Sequence, residues 1–456
     1  MLTATNPATG EAVREVSPDS DADVRAKLDA AAAAFRDWRH TSFADRAALL
    51  NAVAQDLRAR NASLAPLMTE EMGKPIREAW GEVNKGAWCA EHYAAHAEGY
   101  LQRQWIESDA TRSYVQHLPL GPILGILPWN APFWLAFRFA APALMAGNTC
   151  LLKHDPHVPG CAEALADAFR RAGAPEGVFQ ALFLETPRVE AVIRDPVVQA
   201  VSFTGSARGG GIVAGIAASE IKPAVLELGG SDPSLVLADA DLDAAARTLT
   251  TSRIINAGQS CIAAKRLIVE APVYDAFLER FQANLKALTL GDPREETTDV
   301  GPIARSDLRD DLHRQVDATI RAGARCLMGG SVPDGPGFFY PVTLLADVTP
   351  EMCAFQEETF GPVGVVIRAE TADEAVAMAN DTPFGLAASV WSETARGEAL
   401  AQHLDAGQIA VNGIVKTDPR LPSGGIKKSG YGRELGPHGI LEFVNAQQVW
   451  VGPARG

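Results

Sequence analysis

"NTCLLKH" at residues 148–154 is followed by "PGCAEALADAFRRAGAP" (159–175), "GVFQALFLE" (177–185), "TPRVEAVIRD" (186–195), "VQAVSFTG" (198–205), "SARGGGIVAGIAASE" (206–220) and "KPAVLELGG" (222–230). The shorter runs are apolar and bounded by glycine, proline or charge, as buried strands are. The longer ones are small-residue or amphipathic stretches of helical character. Strand and helix in alternation predict βαβ units, and these predict a parallel sheet. Ligands of such sheets bind beyond the carboxyl ends of the strands. Lys153, Gly205, Ser206, Glu227, Leu228 and Gly229 all stand at such ends.

Outward from this core, residues 20–104 are rich in alanine with charges at helical intervals, which predicts three or four amphipathic helices, one closed by Gly73 and Pro75. "TRSYVQHLPL" (111–120) reads as an extended strand whose Pro119 suits an edge or an excursion from the main body. After residue 261 a second alternating region begins, and the β-rich tail "ILEFVNAQQVWVG" (440–452) is expected to pair with residues 111–120. A chain of 456 residues exceeds what one core usually serves, roughly 250–300 residues, so two large α/β domains are expected.

Hydrophobic residues at 47% and charged residues at 21% describe an ordinary globular protein. The formal net charge of -15 argues against a nucleic-acid partner, since phosphate binding needs a concentrated basic face. The start of the chain lacks a basic head followed by an apolar run, and no apolar stretch is long enough for a membrane span. The six cysteines form no C-x-x-C pair and no regular spacing, so free thiols in a reducing cytoplasm are expected, without disulfides or metal.

One thiol stands apart. Cys261 in "NAGQSCIAAKR" (256–266) sits among small neighbours that leave room for a substrate. Glu227 stands inside an apolar strand just before two glycines, where desolvation raises a carboxyl pKa toward neutrality; the bland alternative is a glutamate neutralised by an unseen arginine or by backbone N–H groups. "FTGSARGGG" (203–211) opens a helix whose free N–H groups suit a phosphate, although the G-x-G-x-x-G pattern is absent. Asn130, Trp134 and Arg138 share an i, i+4, i+8 stripe: an amide, an aromatic wall and a cation that together suit a small carboxylated substrate. The competing reading has Asn130 capping the helix, Trp134 packed and Arg138 at the surface.

Together these residues resemble the aldehyde dehydrogenase family. "PWNAPFW", "LLKHDPHVPGCA", "FTGSARGG", "LELGGSDP", "NAGQSCIAAKR", "EETFGPV", "NDTPFGLAASVW" and "GGIKKSGYGRELG" occur in the family's order across nearly the whole chain, and several resemble its short succinate-semialdehyde dehydrogenase-like group. The resemblance implies a Rossmann-like cofactor domain (1–109 and 122–228), a catalytic α/β domain (229–434) and a small β oligomerisation arm (110–121 and 435–456) of a homodimer or homotetramer. It implies Cys261 as nucleophile, Asn130 and the Cys261 N–H as oxyanion donors, and Glu227 as the base for thioester hydrolysis. Lys153 is included in the catalytic set. NAD or NADP would be held by Pro128, Trp129, Lys153, Gly205, Ser206, Glu227, Leu228, Gly229, Glu358 and Phe360. Succinate semialdehyde is the expected substrate, its far carboxylate on Arg138 with help from Trp134, Ser260 and Thr417; a broader aliphatic or aromatic aldehyde range is the alternative.

Three departures bear on this. Pro156 stands three residues after Lys153, where NAD-preferring members often carry a glutamate, so the repulsion of a 2'-phosphate is missing. Ser423 of "LPSGG" replaces the usual aromatic and is expected to widen or polarise the pocket mouth. Ala263 takes the position of a second, redox-switching cysteine. Acylating members typically lack the glutamate and silent relatives lose the thiol or the glutamate, whereas both are present here. A papain-like hydrolase needs a histidine partner that no signature supplies.

Overall fold

The computed structural model describes residues 1–453. Strands β1 (Leu2–Thr5) and β2 (Ala12–Val16) form an antiparallel ribbon, followed by helices α1 (Asp21–Trp38), α2 (Phe43–Ala59), α3 (Asn61–Met72) and α4 (Ile76–Tyr100). Ser20 and Ser42 each close a capping box with an aspartate three residues on, which fixes the starts of α1 and α2. Gly73, left-handed at φ 77°, ends α3 as expected. Strands β3 (Gln104–Ile106) and β4 (Arg112–Pro119) then leave the body.

The predicted βαβ run is present as β5 (Pro122–Leu127), α5 (Pro132–Met145), β6 (Thr149–His154), α6 (Pro159–Arg171), β7 (Phe179–Ala181), α7 (Val189–Arg194), β8 (Ala200–Thr204), α8 (Ala207–Ser219) and β9 (Ala224–Glu227). These strands are parallel, and the chain turns back across the sheet between β5 and β8, which creates a switch point there. Apolar clusters cover both faces, one built with α2 to α6 and the other with α1, α7 and α8. That double cover is why the strands read as continuous apolar runs.

A second sheet contains β10 (Pro233–Val236), β11 (Arg266–Glu270), β12 (Arg325–Met328), β13 (Thr343–Ala346), β14 (Val363–Ala369), β15 (Ala387–Trp391) and β16 (Gln408–Val411) in the order 12-13-14-11-10-15-16, parallel except for β12. Helix α9 (Leu242–Ile254) joins β10 to β11. Strand β17 (Gly430–Tyr431) crosses back to pair antiparallel with β9, and β18 (Val444–Val451) pairs with β4 over eight residues.

The expected boundaries shift at three places. Residues 430–431 extend the first sheet rather than the catalytic unit, because their backbone groups complete the open edge of β9. β3 joins β4 and β18, so the arm begins at residue 104 rather than 110. Leu435, Ile440 and Phe443 are buried in the core under α4 and α5, so the arm's second half starts at β18. Pro119 is the last residue of β4, which is the middle strand of its sheet rather than an edge. Among the described residues no helix is long and apolar enough to cross a membrane.

Candidate active site

Cys261 lies in the loop between α9 and β11, at the amino end of the second sheet, where that sheet meets the carboxyl ends of the first. The approach to it is strained: Asn256, Ala257 and Gly258 all have positive φ, at 54°, 53° and 76°. Buried Arg253 holds this turn by donating to the carbonyls of Gly258 (2.7 Å) and Ala264 (3.2 Å). Gln259 ties it further, through its Nε2 to Asn256 O and its Oε1 from Ala304 N–H. Lys265 Nζ reaches the Cys261 carbonyl at 2.5 Å and Glu358 Oε1 at 2.9 Å. Burial pushes the Cys261 thiol up to about 11, with Lys265 and Arg138 opposing and the Glu227 and Asp232 carboxylates reinforcing. The resting group is therefore the thiol, and attack requires a base.

Asn130 comes to this loop from the other unit. Its Nδ2 donates to Gln259 O at 3.1 Å, and its own carbonyl accepts from Lys74 Nζ and Asn256 Nδ2, both at 2.9 Å. Asn130 does not cap α5. Glu82 of α4 does, its Oε1 accepting from the N–H groups of Phe133 (2.9 Å) and Trp134 (3.2 Å) while its Oε2 pairs with Lys74. With the helix end satisfied elsewhere, the second proton of the Asn130 amide is available to a ligand. Asn130 and Cys261 line one cavity of about 450 Å³, together with Trp134, Arg138, Ser260 and Thr417.

Glu227 ends β9 and is buried, as is Glu434, and Arg138 lies between them. Arg138 Nη2 donates to Glu227 Oε2 at 2.8 Å, and its Nε stands 2.5 Å from Glu434 Oε2. This corrects the competing reading that put Arg138 at the surface, while Arg138 still lines the cavity. A guanidinium only 2% exposed requires compensating charge, and two carboxylates of the protein already supply it. Burial raises Glu227 to about 7, against the pull of Arg138 and with a further push from Glu434. Glu227 Oε1 has no hydrogen-bond partner among the described residues, so it is the oxygen left to take a proton.

The residues assigned to the cofactor gather along the carboxyl ends of β5, β6, β8 and β9. Pro128 and Trp129 follow β5, and buried Lys153 lies in the last turn of β6. Gly205 and Ser206 precede α8, where Ser206 Oγ caps the helix by accepting from Gly209 N–H. Leu228 and Gly229 follow Glu227. Phe360 meets the Trp129 ring edge-on at 6.0 Å. Glu358 accepts from Gly230 N–H at 3.2 Å, and a Cβ on Gly229 would come within 2.2 Å of its Oε2. Asp155, next to this cradle, is engaged by His157 at 2.7 Å. Ser423 lies off the cavity wall: it is 1% exposed and pairs with Glu434 by two backbone hydrogen bonds, so the expected wider mouth is not what it provides.

Three participants escaped the sequence reading. Lys265 and Glu434 stand inside quoted motifs, "AAKR" and "GRELG", but nothing local tells a buried ion-pairing charge from a solvated one. Lys85 is one charge among many on an amphipathic helix, yet its Nζ lies 4.1 Å from the Trp134 ring centroid and donates to Thr417 Oγ1 at 2.9 Å.

A thiol, an amide donor beside it and a buried carboxyl group, set against a dinucleotide-type sheet, fit the class of NAD(P)-dependent aldehyde oxidoreductases. The chain belongs to the aldehyde dehydrogenase family, whose sequence profile matches residues 1–449. It is 49% identical over 447 residues to a Synechocystis protein named "Probable succinate-semialdehyde dehydrogenase (NADP+)", covering 98% of each chain. It is 48% identical to a succinate-semialdehyde dehydrogenase (NADP+) of Mycolicibacterium paratuberculosis, over 99% of this chain and 96% of that one. The structure superposes, with a TM-score of 0.97 and 34% identity, on the succinic semialdehyde dehydrogenase of Streptococcus pyogenes crystallised with NADP+, covering 99% of this chain and 100% of the other. The α/β architecture expected from the sequence is thereby the aldehyde dehydrogenase fold.

Proposed function

We propose that this protein oxidises succinate semialdehyde to succinate with NADP as the preferred cofactor. The observation that carries the reading is the shared cavity of Cys261 and Asn130, with Glu227 held behind it by Arg138. Four cationic side chains line that cavity against two carboxylates, which favours an aldehyde that is itself an anion. The names of the relatives point to the same substrate and cofactor.

The cradle fits a nicotinamide dinucleotide. The N-terminus of α8 is capped by Ser206 alone, and Lys153 has no hydrogen-bond or ion-pair partner among the described residues. Pro156 adds no charge where a glutamate would repel a 2'-phosphate, and the neighbouring Asp155 is hydrogen-bonded to His157. When bound, the nicotinamide supplies the hydride acceptor.

The chemistry of the chain's own groups follows. Glu227, poised near neutrality, takes the proton of Cys261, and the sulfur attacks the aldehyde carbon to give a thiohemiacetal. Asn130 Nδ2 and the Cys261 N–H hold the oxyanion. After loss of hydride the carbon is a thioester on Cys261; Glu227, once it has passed the thiol proton to solvent and is again a carboxylate, deprotonates water, which displaces the sulfur as thiolate and releases the acid. Lys265 holds the Cys261 backbone in place, and Glu434 positions Arg138. The exposed arm strands are the surface through which a homo-oligomer forms.

The test is nucleotide reduction by the purified protein with succinate semialdehyde against butanal, each with NADP and NAD, and Cys261→Ala as control. The reading predicts preference for the acid and for NADP, both abolished in the control. Equal use of the two aldehydes would refute the substrate.

A further inference from the structure

Lys265 is 1% exposed and lies off the wall of the substrate cavity, behind the loop that carries Cys261. A buried ammonium needs compensation, and this one has two contacts of different kinds. Its Nζ donates to the carbonyl of Cys261, four residues back along its own loop, and pairs with Glu358, which arrives from a distant part of the chain. Among the described residues neither Lys265 nor Glu358 has another ion-pair partner. The backbone fixes this reach: the N–H groups of Lys265 and Arg266 both donate to the Asp232 carbonyl, at 3.0 and 3.1 Å, so the side chain starts beside the second sheet and runs back along the loop.

The other contacts of Glu358 belong to the cofactor cradle. Its Oε1 also accepts from Gly230 N–H, and its Oε2 lies where a side chain on Gly229 would stand. Four charged groups face the Cys261 thiol: Lys265 before β11, Arg138 on α5, Glu227 at the end of β9 and Asp232 before β10. Lys265 and Arg138 favour the thiolate, Lys265 the more strongly, and Glu227 and Asp232 oppose it. Arg138 is divided between two carboxylates and has no contact with Glu358, so Lys265 alone touches both the nucleophile's backbone and the cradle. We propose that Lys265 is a positioning residue that couples the cofactor cradle to the nucleophile, one ammonium orienting Glu358 for the nicotinamide ribose while it holds Cys261 beside its charge. This rests on the roles given to Cys261 and Glu358.

Two measurements test it: the rate at which iodoacetamide alkylates Cys261 without cofactor, read on its peptide by mass spectrometry, and the dissociation constant of NADP, read by quenching of tryptophan fluorescence. In Lys265→Met, alkylation at about pH 8 should fall roughly three- to tenfold, because less of the thiol is ionised, and NADP should bind roughly three- to tenfold more weakly, because Glu358 loses its tether. Lys265→Arg, which keeps the charge, should restore much of both. Glu358→Gln should weaken NADP binding in the wild type and by a smaller factor in Lys265→Met, since the tether is already gone. Glu358→Gln with unchanged NADP affinity, or Cys261→Ala that still reduces NADP, overturns the functional reading and the coupling with it. With those two as expected, a Lys265→Met variant that keeps wild-type alkylation or wild-type affinity overturns the coupling and leaves the function standing. So does a loss that Lys265→Arg does not restore, which marks a packing role, or a Glu358→Gln effect of equal size in both backgrounds. If Lys265→Met does not fold, Lys265→Gln, which keeps a donor for the Cys261 carbonyl without the charge, decides by the same two readouts.

Discussion

At the scale of the residue, the site depends on a buried triad of Glu227, Arg138 and Glu434, in which one cation serves two carboxylates. Glu227 works as a base only when ionised. With its pKa raised to about 7, kcat should climb as pH rises through about 7 and then level off. Glu227→Gln should remove that limb and cut turnover at least a hundredfold, and it should slow the first turnover of nucleotide reduction as well, because the same carboxylate both activates Cys261 and hydrolyses the thioester. Arg138 lowers the Glu227 pKa, so Arg138→Leu should move any remaining limb to higher pH. It also strands two buried carboxylates, with a stability loss of about 3–5 kcal/mol in denaturant melts. Cys261, Asn130 and Glu227 could be singled out from the sequence because each stands in a short motif of the family, and the fold brings Cys261 and Asn130 to one cavity. The partners of Arg138 were not legible, because Glu434 lies far along the chain and a helical stripe shows which side chains align, not what meets them.

At the scale of the element, reactivity is a matter of how two chain ends are presented. The loop after α9 reaches Cys261 through three left-handed residues, two of them not glycine, and their strain is held by Arg253 and Gln259. Gly258→Ala combines a φ of 76° with a Cβ placed 2.2 Å from Gly361 O. We expect a loss of roughly 1–3 kcal/mol or more, and activity falling further than stability because Cys261 and Gln259 shift together. Paired thermal melts and kcat/KM values check this. Helix α5 makes the complementary point: the Glu82 carboxylate takes over the capping that the sequence alone offered to Asn130. The helix and its stripe were legible from spacing; the cap was not, since it comes from a different helix.

At the scale of the whole molecule, two sheets and the chain crossings between them build the site. The first sheet contributes Asn130 and Glu227, the second contributes Cys261, and β17 returns from the second to close the first beside Glu434. The arm exposes Trp105, Ile106 and Trp450, at 59%, 53% and 45%. Solvated aromatic side chains on a protruding sheet favour burial against another copy. Trp105→Asp with Ile106→Lys should reduce the mass measured by light scattering, and unchanged mass would place the contact elsewhere. The sequence by itself determined the α/β class, the alternation of strand and helix in the βαβ run and the pairing of the tail with residues 111–120. Those follow from periodicity and local composition, which report burial and chemistry over short distances. Tertiary structure alone decided that Arg138 serves Glu227 and Glu434, that Ser423 supports Glu434 rather than the pocket mouth, and that Lys265 joins Cys261 to Glu358. Whether a charge is paired depends on which distant segments the fold brings within a few ångströms, and no local pattern encodes that.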